Sequence, residues 1–260
     1  MTHAMRKQAH PFSNVPDRSL GRPGPWLSRL SRAAITTLCV SISTAVWADT
    51  KSFELSDFDG ISVAEGIHMQ VTAGETFELV AESEDARQLE ILGLEVRRGI
   101  LQAQMDDGLL SLNWTKGKQV TIRVTMPNLI HAEGSSGANI VADMMSGPAL
   151  EVAVSGGATL QIDDVDGDTM SVDASSGAEI NITGGTCKSL SIDTSGGASL
   201  DMEKVACMDA EIDASTGAQV SIHVDQSITA DASSGARIRV YGAHEKVVVK
   251  SSSGGTVEFP

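Results

Sequence analysis

Ser135-Ser136-Gly137-Ala138, Ser155-Gly156-Gly157-Ala158, Ser175-Ser176-Gly177-Ala178, Ser195-Gly196-Gly197-Ala198, Ser215-Thr216-Gly217-Ala218 and Ser233-Ser234-Gly235-Ala236 are six copies of one four-residue pattern. The glycines that precede each Ala are separated by 20, 20, 20, 20 and 18 residues, and a degenerate copy follows at Gly254-Gly255. A constant period of this length is the mark of a solenoid, in which each repeat is one coil. Glycine takes the positive φ of a tight turn, and the Ala after it is small enough to face inward at a corner.

Aligning the copies on that glycine gives every neighbouring position a role. Leu150/Val152, Met170/Val172, Leu190/Ile192, Ala210/Ile212 and Ile228/Ala230 stand seven and five residues before it. Leu160/Ile162, Ile180/Ile182, Leu200/Met202 and Val220/Ile222 stand three and five after it. The intervening residues are polar: Thr159 and Gln161, Glu179 and Asn181, Ser199 and Asp201, Gln219 and Ser221. Alternation with period two on both sides of a turn predicts at least two short strands per repeat. One such repeat cannot bury its apolar side alone, so successive coils stack into inward columns of Val, Ile and Leu. The predicted fold is all-β: a single-domain parallel β-helix with rungs of about 20 residues, right-handed by the chirality of parallel crossovers.

The regular repeats span residues 131–256, within a solenoid domain of 49–260. Residues 49–130 hold shorter β runs broken by Gly60, Gly66 and Gly74: Phe53–Glu54, Ile61–Val63, Ile67–Val71, Phe77–Ala81, Leu94–Val96, Leu101–Gln104, Leu110–Trp114 and Val120–Met126. A helical turn or two is expected at Glu84–Leu89. This segment reads as irregular coils and an N-terminal cap, because a solenoid must close its end.

Residues 1–48 read as an export signal with an extended n-region. Arg22, Arg29 and Arg32 precede an apolar run from Ala33 to Val46, and Val46-Trp47-Ala48 is a small-x-small site for cleavage after Ala48. The run is shorter than the roughly 20 apolar residues of a membrane span, and no later segment approaches that length. Cys39 follows Leu38 rather than a small residue, which argues against a lipoprotein anchor. The whole chain carries a net −15; the first 48 residues hold six Lys/Arg and one Asp, which leaves −20 on the rest. Such a domain is expected to repel nucleic acid and anionic lipid; the charge reads first as a means of solubility, with attraction of cations or basic partners as the alternative. With aromatics at 3%, stacking platforms for sugars or bases are few.

Phe58-Asp59-Gly60-Ile61-Ser62-Val63, Gly66-Ile67-His68-Met69-Gln70-Val71, the link Met126-Pro127-Asn128-Leu129 and the serial Ser-Gly-Ala corners ending at Tyr241-Gly242 resemble a bacterial family, the auto-transporter adhesin head GIN domain. The resemblance runs from about Phe53 to Gly255. It implies a β-helix in the cell envelope or outside it, and it brings no catalytic residues. No translocator barrel follows the repeats in the sequence, so self-export by an auto-transporter route is not expected.

Four acids share one position: Asp173, Asp193, Asp213 and Asp231 each lie four residues before a corner glycine, facing outward. Two readings stand. One is a ladder holding Ca²⁺ through carboxylate oxygens. The other, preferred because Ala153 fills the same place in an earlier rung, is an Asx-turn that opens the corner. Asp163-Asp164-Val165-Asp166-Gly167-Asp168 is the densest acidic run; Ile162 stands where an EF-hand needs its first acid, so a solvated corner is preferred there, with a weak cation site as the alternative. Cys187 and Cys207 each lie ten residues after a corner glycine. Equivalent positions in adjacent rungs are about 5 Å apart, within bonding range, and export favours oxidation. A disulfide is predicted, with two stacked thiols as the alternative.

His68, His131, His223 and His244 show no zinc spacing, the glycines are followed by no helix, and Ser135-Ser136-Gly137 lacks a positioned base. No cofactor or catalytic residue is therefore expected. The function expected is that of an exported, non-enzymatic, adhesin-like interaction protein of the periplasm, outer surface or medium. Its partner would be an envelope polymer, a glycan or a surface protein. The alternatives are a β-helix enzyme acting on acidic polysaccharide, with Ca²⁺ on the Asp column and Arg237 or Arg239 as base or clamp, and a purely structural envelope protein.

Overall fold

The structure, a computed structural model, describes residues 48–106, 119–243 and 245–260. The signal up to Trp47, the run Leu110–Trp114 and His244 lie outside the described residues. Eight strands and one helix lead up to and into the first corner of the regular repeats: β1 (Asp49–Phe53), β2 (Gly60–Val63), β3 (His68–Ala73), β4 (Glu78–Ser83), α1 (Ala86–Glu90), β5 (Leu92–Arg97), β6 (Ile100–Met105), β7 (Val120–Met126) and β8 (His131–Gly134). Nine follow: β9 (Asn139–Val154), β10 (Thr159–Ala174), β11 (Glu179–Ile182), β12 (Gly185–Thr194), β13 (Ser199–Ala214), β14 (Gln219–Ala232), β15 (Arg237–Tyr241), β16 (Lys246–Ser251) and β17 (Thr256–Glu258).

Among β8–β17 every pairing is parallel and joins residues one repeat apart. Leu160 pairs with Ile140 and Ile180, and Val172 with Val152 and Ile192. The chain is therefore a parallel β-solenoid. Each rung has three inward segments, one more than alternation alone required. In β10, Leu160 and Ile162, then Val165, then Met170, Val172 and Ala174 are buried. The exposed pairs Asp163-Asp164 and Asp168-Thr169 mark the two bends between them. Each fully buried Ile, Leu, Val or Met contributes about 1.5–3 kcal/mol.

The third bend is the repeated corner. Ser136 (φ 51°) and Gly137 (φ 75°) both take positive φ, as do Gly156 and Gly157, Ser176 and Gly177, Gly196 and Gly197, Thr216 and Gly217, and Ser234 and Gly235. Two successive positive φ values define a type I′ turn, closed in the first copy by Ala138 N donating to Ser135 O at 3.0 Å. The Ala after each turn is buried, at 1% exposure or less in all six copies. Gly137 N donates to Gly156 O of the next rung, so the turns are themselves laddered. Glu65-Gly66 is a further turn of this column, joined to it by Gly66 N donating to Ser136 O.

The single 18-residue interval has a register explanation. Met202 pairs with Ile222 while Ala206 pairs with His223, which omits three residues; Cys207 pairs with Val224 while Asp209 pairs with Ser227, which restores one.

Before β8 the order in space departs from the order in sequence. The β2–β3 coil lies between two layers: β2 pairs with β8 and β6, and β3 with β9 and β7. Beyond them β5 pairs antiparallel with β6, β4 with β7, and β1 with β4. Helix α1, capped by Asp85 accepting from Arg87 N, packs on β1 and β4 and buries Leu89. The expected helical turn at Glu84–Leu89 is therefore present, shifted to Ala86–Glu90.

Candidate functional site

The four aspartates form one register column. Asp173 pairs with Asp193, Asp193 with Asp213 and Asp213 with Asp231, and Lys250 stands over Asp231. The Asx-turn explanation fails on hydrogen bonding. Ser175, Ser195, Ser215 and Ser233, two residues on, give their amides to Val154, Ala174, Thr194 and Ala214 carbonyls of the preceding rung, at 2.9–3.0 Å. The ladder takes the donors that the turn would need. Among the described residues no three His, Cys, Asp or Glu side chains are grouped to hold a metal ion.

The column is instead an electrostatic load. Burial, then the carboxylates of Asp193 and Glu151, hold the Asp173 carboxyl above its usual range. The native chain thus binds this proton more tightly than the unfolded chain. Its unfavourable contribution is complete above the raised value and disappears below the ordinary one, so stability falls as pH rises through that window. Asp193→Asn should raise the melting temperature at pH 7. The gain is held to about 0.5 kcal/mol by solvent screening of exposed carboxylates, and it should shrink in high salt and at pH 3. A lower melting temperature for the variant, measured by scanning calorimetry at pH 7, would refute the repulsion.

Two residues before the aspartates runs a second outward column: His131, Glu151, Ser171, Ser191, Glu211 and Thr229. Glu151 Oε2 lies 3.2 Å from His131 Nδ1. The imidazole rests on Gly60, where an added Cβ would stand 3.0 Å from His131 Cβ. His131 Nε2 is buried without a hydrogen-bond partner. Neither ring nitrogen is within hydrogen-bonding reach of a serine hydroxyl among the described residues. Beside this column an open groove of ≈ 460 Å³ is lined by His131, Glu151, Thr169, Ser171, Ser189 and Ser191 together with the apolar Ile130, Ala149, Leu150 and Met170. Hydroxyls that both donate and accept, next to one carboxylate, suit a ligand rich in polar groups. The corner frame could have found this set, because His131, Glu151, Ser171 and Ser191 all lie six residues before a corner glycine.

The other singled-out residues are dispersed. His68 Nδ1 and Asn139 Oδ1 are 2.9 Å apart, and Gln70 Nε2 is 3.1 Å from His68 Nε2, on the face that follows the corner. His223 meets Asp225 at 3.1 Å. The run Asp163–Asp168 lies within β10, and Asp168 pairs with Lys188 at 2.6 Å, which raises the Lys188 pKa. Arg237 and Arg239 lie past the turn from Asp231 and both face Glu258, at 3.6 and 3.3 Å. Their guanidinium groups are therefore engaged with an acid of the next rung rather than turned to the Asp column. Cys187 and Cys207 pair in register and form a disulfide with Cα atoms 4.5 Å apart.

No curated protein sequence matches the chain. Solved structures share its fold. A putative adhesin from Bacteroides fragilis superposes with a TM-score of 0.71 at 15% identity, over 82% of this chain and 96% of that one. A putative lipid binding protein from Parabacteroides distasonis gives 0.63 at 16%, over 81% and 96%. A putative adhesin from Parabacteroides merdae gives 0.61 at 18%, over 81% and 95%. At such identities the likeness is one of fold. The family follows from the sequence itself: residues 57–243, from the strand entering the first I′ turn to the one leaving the sixth serial corner, match the family described as "Putative auto-transporter adhesin, head GIN domain", and the chain belongs to it.

Proposed function

We propose that the protein is exported and acts as a non-enzymatic interaction protein, holding an envelope polymer, a glycan or a surface protein against the groove between His131 and Ser191. The observation that carries this reading is the register of the groove. Glu151, Ser171 and Ser191 repeat at the rung spacing, about 4.8 Å, so a ligand with periodic polar groups meets a hydrogen-bonding side chain, carboxylate or hydroxyl, on each rung. The family and the structures named as adhesins support it, as does the signal-like segment that ends at Ala48. Among the described residues no helix is long and apolar enough to cross a membrane.

A glycan array and whole-cell adhesion assays test the proposal. Ser171→Ala with Ser191→Ala should abolish most of the binding while leaving the melting temperature within about 1 °C, since outward side chains away from special features change stability little. Undiminished binding in that variant would remove the groove from the reading. Absence of any binding, with no adhesion defect in a deletion strain, would remove the reading itself.

A further inference from the structure

At the far edge of the ladder β16 has one partner strand, β14, and β17 has one, β15, among the described residues. Val247 and Val249 continue the inward columns above Ile228 and Ala230, yet they are 46% and 40% exposed, and no further strand among the described residues pairs with β16 beyond them. Val248 is 54% exposed on the outward side. The opposite end differs: there β1, β4 and α1 are folded over the first coils. A strand laddered on one side only, beside exposed valines, is a template for one more strand.

Charge decides which strand. Lys246 and Lys250 flank the three valines on the outward side, over Ser227 and Asp231. A second copy pairing antiparallel through its own β16, centred on Val248, would set Lys246 against Lys250 twice, and like charges directly opposite are destabilising. A strand carrying acid, apolar, any, apolar, acid would set a carboxylate on each lysine and close the two valine columns. The rungs show that these columns accept such a strand: Asp209-Ala210-Glu211-Ile212-Asp213 occupies the same register positions one rung before β14.

We propose that the outer edge of β16 is a strand-docking site for an extended segment of a partner protein with that acid-flanked apolar pattern. It is a surface separate from the groove and does not depend on it.

The test uses the full chain and a fluorescein-labelled peptide of residues 209–214, Asp-Ala-Glu-Ile-Asp-Ala, followed by fluorescence anisotropy. Saturable binding is expected, at least about tenfold weaker when both Asp are changed to Lys, the size of two reversed cross-strand charge pairs. Lys246→Glu with Lys250→Glu should reverse that preference, and Lys246→Gln with Lys250→Gln should abolish it. An unchanged melting temperature confirms that the variants fold. No saturable binding, equal binding of the acidic and basic peptides, or a preference that survives the charge reversal would overturn the proposal. So would a dimer in light scattering that the reversal dissolves, since a second copy would then own the edge. Groove variants should leave peptide binding unchanged.

Discussion

Replacing Cys187 and Cys207 together by Ala is expected to lower the melting temperature by about 6–12 °C, among the largest losses open to this chain without altering its backbone. The bridge closes a loop of 20 residues. Cross-linking such a loop removes unfolded-state entropy worth about 3 kcal/mol, and a domain of this size loses roughly 2–4 °C per kcal/mol. Both side chains are core residues, at 4% and 1% exposure, with Gly167 before them in the column and Val224 after. Ala therefore adds a modest packing loss without stranding a polar atom. The denatured, unreduced protein should show no free thiol from this pair, and two after reduction; Cys39 is the chain's third cysteine. Two reactive thiols before reduction, or a melting temperature indifferent to reductant, would rule out a structural bridge. The prediction is for protein made in an oxidising compartment. Produced in a reducing cytosol, the same chain should melt like the Ala variant.

How far the sequence disclosed this architecture depended on what its spacing could encode. The corner glycines were legible because positive φ is a property of single residues, and Gly137 to Gly235 repeat it at a visible interval. The cysteine pair was legible for the same reason, since two positions at one offset from the corner must be neighbours. Strand order before β8 was not legible. Leu79, Ala81 and Ser83 of antiparallel β4 alternate inward as Ile122, Val124 and Met126 of parallel β7 do. Alternation records which side a residue faces, not the direction or neighbour of its strand. The Asx-turn at Asp173 misled because the competitor for the Ser175 amide, Val154 O, comes from another rung and leaves no trace in local sequence. The groove was within reach but unread: glutamate, serine and histidine at one offset share no side-chain type, and only position unites them.

Gly185→Ala is expected to be far more damaging than Gly177→Ala, though both glycines have positive φ and both replacements add one methyl group. At Gly177, φ is +72° and an added Cβ would find nothing within 4 Å. The cost there is backbone strain alone, about 1–2 kcal/mol for a non-glycine residue in the left-handed region. Ser176 beside it sustains φ 54° with a side chain, so the turn tolerates such strain. At Gly185, φ is +124° and the Cβ would lie 2.1 Å from Val165 O and 2.5 Å from Val165 N. Those are backbone atoms of the neighbouring rung, and Gly185 pairs with Val165 in the ladder. No rotamer can relieve the overlap. The rungs must part at the bend that leads into Cys187, taking inward Val165 and its packing with them. Losses of this kind reach about 4 kcal/mol or more, so Gly185→Ala should express poorly or unfold at about 1 M or more lower urea than Gly177→Ala, at slopes of roughly 1–3 kcal/mol per molar. Equal urea midpoints for the two variants would mean that the rungs do not approach at Val165 as the structure has them.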